Sequence, residues 1–148
     1  MNIVRRCCVY WRDRSGATAV EFAYVVGPLL LLLVGVIEVG RLMWTSHALD
    51  ELAIDAARCI GIRASGCATP DQIRPDLVAN YVGEAARSWG VVVAAQDISL
   101  STNTGCAVDT GFLRVGLTHS FQSVLPGIGN TQLDSEACFP SQFPDSDS

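Results

Sequence analysis

Residues 17–44 read ATAVEFAYVVGPLLLLLVGVIEVGRLMW. From Ala17 to Gly40 only Glu21 and Glu38 carry a charge, and Phe22 to Ile37 carry none. A helix rises about 1.5 Å per residue, so this run spans roughly 36 Å, more than the ~30 Å of a bilayer's hydrocarbon core. A buried core helix is the competing reading. Five successive leucines, Leu29 to Leu33, argue against it, because a small soluble domain has no apolar surface to surround them on every side. The stretch therefore reads as one transmembrane helix over residues 17–44. A secretory signal peptide would also pair a basic flank with an apolar run, but it ends in a small-x-small cleavage site. Here the run ends in VIEVGRLMW, Val36 to Trp44, which offers no such site.

The flanks set the orientation. Arg5, Arg6, Arg12 and Arg14 precede Gly16, against the single acid Asp13. Arginine-rich flanks stay on the cytoplasmic side, so residues 1–16 read as a basic cytoplasmic leader and the chain after Arg41 as extracytoplasmic. All ten basic residues are arginines and the formal net charge is −5; without the leader's net +3 it becomes −8. A body this acidic has no basic face for a nucleic acid.

Glu21 is the informative residue of the span. A carboxylate costs a few kcal/mol at the centre of a bilayer and less near its edge. One reading is an interfacial acid that reaches back to water; the other is a partner for a positive charge inside the membrane. Here the sequence resembles a family. Ser15-Gly16-Ala17-Thr18-Ala19-Val20-Glu21-Phe22 is similar to the processing site of type IV pilin-like proteins, in which a prepilin peptidase cuts after a glycine. The resemblance implies a cut between Gly16 and Ala17, with Glu21 becoming the fifth residue of the mature chain. A glycine leaves its carbonyl open to attack, and the cut creates an α-amino group at Ala17 that Glu21 of a neighbouring helix could pair with. Such a pair would set axial register between packed helices.

The resemblance narrows over residues 14 to 60. GATAVEF, Pro28 with the leucine run, IEVGR at Ile37–Arg41 and AAR at Ala56–Arg58 are similar to TadE-like proteins of the tight-adherence (Flp) pilus system. Flp pilins place Glu-Tyr where this chain has Glu21-Phe22, and the chain is too long for the major pilin, a small and nearly all-helical peptide. The resemblance implies a membrane-anchored pseudopilin or minor pilin. Its expected helix-assembly residues are Glu21, Phe22 and Glu38. Its expected partners are a prepilin peptidase, other pilin-like subunits, the inner-membrane secretion platform and the lipid bilayer. Its expected place is the bacterial inner membrane, single-pass, with the C-terminal domain periplasmic or associated with a pilus. The alternative is an unprocessed single-pass protein holding an extracytoplasmic binding module. Glu38, near the outer edge of the span, has Arg41 of its own helix and an arginine of a neighbouring helix as possible partners. Pro28 can kink the helix, and Gly27, Gly35 and Gly40 permit close helix approach.

Beyond the span the pattern is α+β. Ala48, Leu52, Ala53, Ala56 and Ala57 form an apolar stripe opposed by Asp50, Glu51, Asp55 and Arg58, which continues the anchor helix outward, from about Ala19 to Ile60. Thr69-Pro70-Asp71 reads as the start of a second helix running to Trp89 and ended by Gly90, with a start nearer Pro75 as the variant. Val91–Ala95, Ile98–Thr102, Leu113–Phe121 and, more weakly, Thr131–Phe139 read as strands of a three- to four-strand antiparallel sheet. Asn103–Gly105 and Pro126–Asn130 read as turns. The expected outer domain covers residues 45–140, with a disordered polar tail over 141–148.

Six cysteines divide between the two sides. Cys7 and Cys8 fall in the leader and read as incidental thiols. Cys59, Cys67, Cys106 and Cys138 fall in the outer domain, where four cysteines in an exported domain imply two disulfides. Three pairings exist; Cys59–Cys67 with Cys106–Cys138 is preferred because it closes a short loop after the helix. A four-cysteine zinc site wants pairs two to four residues apart, which these spacings lack. His47 and His119 are the two histidines, and no phosphate loop, nucleotide fingerprint or metalloprotease helix is present. The expectation is a non-enzymatic protein without a cofactor.

Overall fold

Ser15–Gly61 form one 47-residue helix, α1, with Pro28 inside it. This is the fold of a computed structural model, which describes residues 15–69, 72–102, 106, 111–125 and 130–142. Proline at position 28 removes one backbone hydrogen bond, but the flanking Val, Leu and Ala run keeps the helix going on either side. The chain divides into two compact units, residues 1–39 and residues 40–148.

Among the described residues of the first unit most apolar side chains of α1 are exposed. Leu31 is 72% exposed and Phe22 68%. Removing a Leu or Phe side chain from water is worth about 1.5–3 kcal/mol, so a run of exposed ones favours apolar surroundings. The helix is long and apolar enough to cross a membrane. Among the described residues it is the candidate membrane span.

The second unit is α+β. Its core is built on the C-terminal part of α1, where Ala48, Leu49, Leu52, Ala53, Ala56, Ala57 and Ile60 are buried. These positions recur every three to four residues, the period of one helix face. Small alanines between the two leucines let the other elements approach the helix backbone. Helix α2, Pro75–Trp89, supplies Val78, Val82 and Ala86 to the same core. The sheet supplies Leu113, Val115 and Leu117 from its central strand.

Three strands form an antiparallel meander in the order β1 (Ile98–Thr102), β2 (Phe112–Phe121), β3 (Thr131–Pro140). Val115 pairs with Leu100 on one side and Ala137 on the other. Along β2, Leu113, Val115, Leu117 and Phe121 are buried while Arg114 and Ser120 are exposed, the two-residue alternation of a sheet with one covered face. Ser135 of β3 is buried, and its hydroxyl donates to Asp50 Oδ1 of α1 at 2.7 Å. Gly61 closes α1 where the Phe139 ring lies against it; a Cβ there would overlap the ring.

Two local expectations are corrected. Helix α2 begins at Pro75, with Arg74 in the N-cap position, and not at Thr69. The Thr69 hydroxyl and amide both donate to the Gln72 carbonyl, and Ala68 bridges Ile73, so this segment forms a turn of its own. Pro70 and Asp71 lie outside the described residues. Val91–Ala95 is not a strand. Val91 and Val93 are buried and Val92 is exposed, so the alternation is real, but among the described residues no strand pairs with it, and Ala95–Asp97 turn as a 3-10 helix. The other end of α2 is as expected: Gly90 takes a left-handed conformation (φ 74°) that caps the helix. Ser141 and Gln142, in the segment expected to be a disordered tail, donate to the carbonyls of Gly111 and Gly61. The turn at 103–105, most of that at 126–130, and residues 143–148 lie outside the described residues.

Arg74 also forks onto Asp76, with Nε to Oδ1 at 2.9 Å and Nη2 to Oδ2 at 2.8 Å. This hydrogen bonding holds the Asp76 carboxyl below the usual carboxylate value of 3.8. A carboxyl whose pKa is lower folded than unfolded stabilises the fold above the unfolded pKa and loses that contribution as pH falls through the folded value. Asp76→Asn should therefore slightly lower the urea midpoint at pH 7, with the difference from wild type vanishing as the pH drops below about 3.8. The pair is fully exposed, so the effect is small. A difference that grows toward acid would contradict the assignment.

Candidate functional site

The residues singled out in the sequence sit at distinct places on α1. Gly16, Ala17, Glu21 and Phe22 occupy its first turns, and all four are exposed. A side chain added at Gly16 would meet no atom within 4 Å. Glu21 projects from the same open surface as Val20 and Phe22, 58% and 68% exposed.

Glu38 differs. It is 7% exposed, one of two buried polar or charged residues among those described. Among the described residues no buried side-chain nitrogen or oxygen lacks a hydrogen-bond partner. Its carboxylate is thus accounted for within this chain, while Glu21 lies on the open face. The two acids of the span look alike in sequence, and only folding separates them.

Just past the apolar run lies an aromatic cluster that sequence reading did not single out. The Arg41 guanidinium stands 5.4 Å from the centroid of the buried Phe121 ring. Trp44 and Trp89 rings lie 5.4 Å apart, tilted by 52°, and Trp44 Nε1 donates to the Trp89 carbonyl. His47 meets Trp89 edge-on at 6.1 Å. These contacts join the last turns of α2 and β2 to α1 at Arg41–His47. The signal available in the sequence was Trp44 beside Arg41 at the edge of an apolar run, a common membrane-interface pairing.

Two disulfides tie the second unit. Cys59–Cys67 closes a loop just after α1, with Cα atoms 6.0 Å apart. Cys106–Cys138 links the segment before β2 to β3, with Cα atoms 6.2 Å apart. Cys7 and Cys8 lie outside the described residues. His119 lines an open depression of about 410 Å³ with Asp97, Thr118, Ser120 and Gln132. Among the described residues no group of three or more His, Cys, Asp or Glu side chains could hold a metal ion.

Comparison with known proteins gives one match. Residues 16–58 match the family of TadE-like proteins, beginning at the glycine before the anchor and ending at the arginine that closes the AAR stretch. No curated protein and no solved structure matches the chain.

Proposed function

From a TadE-like segment at residues 16–58, we propose that the chain is a pseudopilin or minor pilin that acts in assembly of a tight-adherence, Flp-type pilus. The observation that carries this reading is the SGATAVEF stretch at the open end of an apolar helix, with Gly16 and Glu21 both accessible. A prepilin peptidase removes residues 1–16, cutting between Gly16 and Ala17. Residues 17–44 cross the inner membrane with their N-terminal end cytoplasmic, residues 45–140 form the periplasmic domain, and residues 141–148 form its tail.

The cut changes the electrostatics of the helix end. It discards four arginines and leaves one α-amino cation at Ala17, four residues from Glu21. Four residues of helix are about 6 Å of rise. A neighbouring pilin-like helix shifted axially by that distance would bring its carboxylate level with this amine. In hydrocarbon each of these charges is costly alone, so the pair favours one stagger over others. Phe22 and the leucines beside it would then pack against the neighbour, and the Cys59–Cys67 and Cys106–Cys138 bonds would hold the periplasmic domain together in an oxidising compartment.

Intact-mass measurement and N-terminal sequencing of the membrane-extracted protein test the reading. In cells that hold the peptidase, Ala17 should be the first residue; in cells lacking it, or with Gly16→Val, the leader should remain. Gly16→Val is a clean variant because no neighbouring atom obstructs the new side chain. A leader retained in peptidase-positive cells would overturn the proposal and favour an unprocessed, membrane-tethered binding module.

A further inference from the structure

The aromatic cluster beyond the span has geometry that pilus assembly does not require. Arg41 and Trp44 stand one turn apart on α1 and directly follow the apolar run that ends at Gly40. If that run fills the hydrocarbon core, Arg41 and Trp44 lie at the level of the lipid headgroups. Trp89 is the last residue of α2 and lies against Trp44. Phe121 is the last residue of β2 and lies under Arg41. The chain leaving each of these elements then displays an apolar side chain: Val92, 78% exposed, three residues past Trp89, and Val124, 71% exposed, three residues past Phe121. The neighbours Val91 and Val93 are buried, so the core had room for valines of this segment and Val92 is turned outward by the alternation.

We infer that this end of the outer domain is a lipid-contacting collar, in which Trp44, Trp89, Val92 and Val124 enter the interfacial layer of the bilayer around the anchor. The inference rests on the membrane-anchor reading of α1, and on nothing in the pilus proposal. The occupant is lipid because the surface begins on α1 directly past the apolar run: Trp89 packs on Trp44 and Phe121 lies under Arg41, at the two positions where hydrocarbon gives way to headgroups. The chemistry matches that layer. Indole rings are amphipathic and favour the interface. Two exposed valines on loops, costly in water, gain from shallow burial. The collar would hold the domain at a fixed height above the membrane.

Fluorescence quenching by brominated lipid tests it. The full chain is placed in phosphatidylcholine vesicles with or without bromine near the glycerol end of the acyl chains. Trp11→Phe with Trp44→Phe leaves Trp89 as the sole indole; Trp11→Phe with Trp89→Phe leaves Trp44. Phenylalanine keeps a ring in each contact. Trp44 and Trp89 emission should both fall about twofold in the brominated vesicles, as expected of interfacial indoles. Adding Val92→Asp and Val124→Asp, both at exposed positions, should restore most of the Trp89 emission while circular dichroism stays unchanged. Quenching of Trp44 without Trp89 would overturn the collar and leave the anchor standing. Quenching of neither would remove the anchor and the collar together. Trp89 emission that responds to protein density and not to bromine would assign the face to a second copy of the chain and overturn the lipid assignment.

Discussion

Glu21→Val should be cut normally after Gly16 and should lower the number of assembled pili by about a hundredfold or more. The size follows from what the substitution strands. In the proposed packing the Ala17 amine of one helix meets the Glu21 carboxylate of the next inside the membrane. Removing one partner of a buried ion pair costs about 3–5 kcal/mol, because the other charge remains unpaired. At 1.4 kcal/mol per tenfold, that is a factor of more than about a hundred at each junction. Valine itself suits the membrane, so insertion and leader removal are unaffected. Filaments sheared from cells and weighed against wild type give the readout. The composition offers a second one. The chain has no lysine, so the processed protein holds one primary amine, at Ala17. A carbodiimide, which joins amines to carboxylates without a spacer, should therefore link neighbouring chains through Ala17 and Glu21. That link should vanish in Glu21→Val. Wild-type piliation by the variant would remove the pairing argument.

The largest effect on stability is expected at Leu52. It is 2% exposed, on the stripe of α1 that α2 and β2 cover. Leu52→Ala removes three carbons from a closed packing and leaves a void that the flanking Ala48, Ala53 and Ala56 are too short to fill. Such changes cost about 2–5 kcal/mol, out of a total for small domains of about 5–15 kcal/mol. Leu31→Ala on the same helix is the contrast. Leu31 is 72% exposed in the first unit and contributes nothing to the domain core. Urea unfolding of both variants in detergent, followed by tryptophan emission, should show a much lower midpoint for Leu52→Ala and no change for Leu31→Ala. Equal midpoints would mean that α1 does not anchor the domain's core.

Much of this was legible because the controlling signals are local. The length and hydropathy of the anchor need only counting. The continuation of α1 follows from alanine and leucine at helical spacing. The end of α2 at Gly90 follows from a residue that accepts a left-handed backbone. The strand at Leu113–Phe121 shows its two-residue period because one face is covered. What failed has a common cause. Val91–Val93 has the burial rhythm of a strand, but a strand also needs a backbone partner, and periodicity reports burial alone. Thr69-Pro70 has the residues of a helix start, and so does Arg74-Pro75; the choice between them was made by the turn that Thr69 forms with Gln72. Glu21 and Glu38 differ only in what folds around them. The Trp44–Trp89 contact joins residues 45 positions apart, beyond the reach of any local pattern.

The order of elements along the chain also sets an order in time. During synthesis α1 emerges before α2 and the sheet, so the stripe from Ala48 to Ile60 is made before the side chains that cover it. The side chains that cover that stripe arrive in pieces: Val78 and Val82, then Leu113, Val115 and Leu117, and last β3, whose Cys138 closes the second disulfide and whose Ser135 reaches back 85 positions to Asp50. Contacts this distant in sequence form slowly. The newborn protein thus passes through a stage in which a finished helix waits, half-covered, for a sheet that cannot close until the final strand is delivered. In that interval the uncovered alanine–leucine stripe is open to chaperones, to proteases and to the same stripe on other nascent copies.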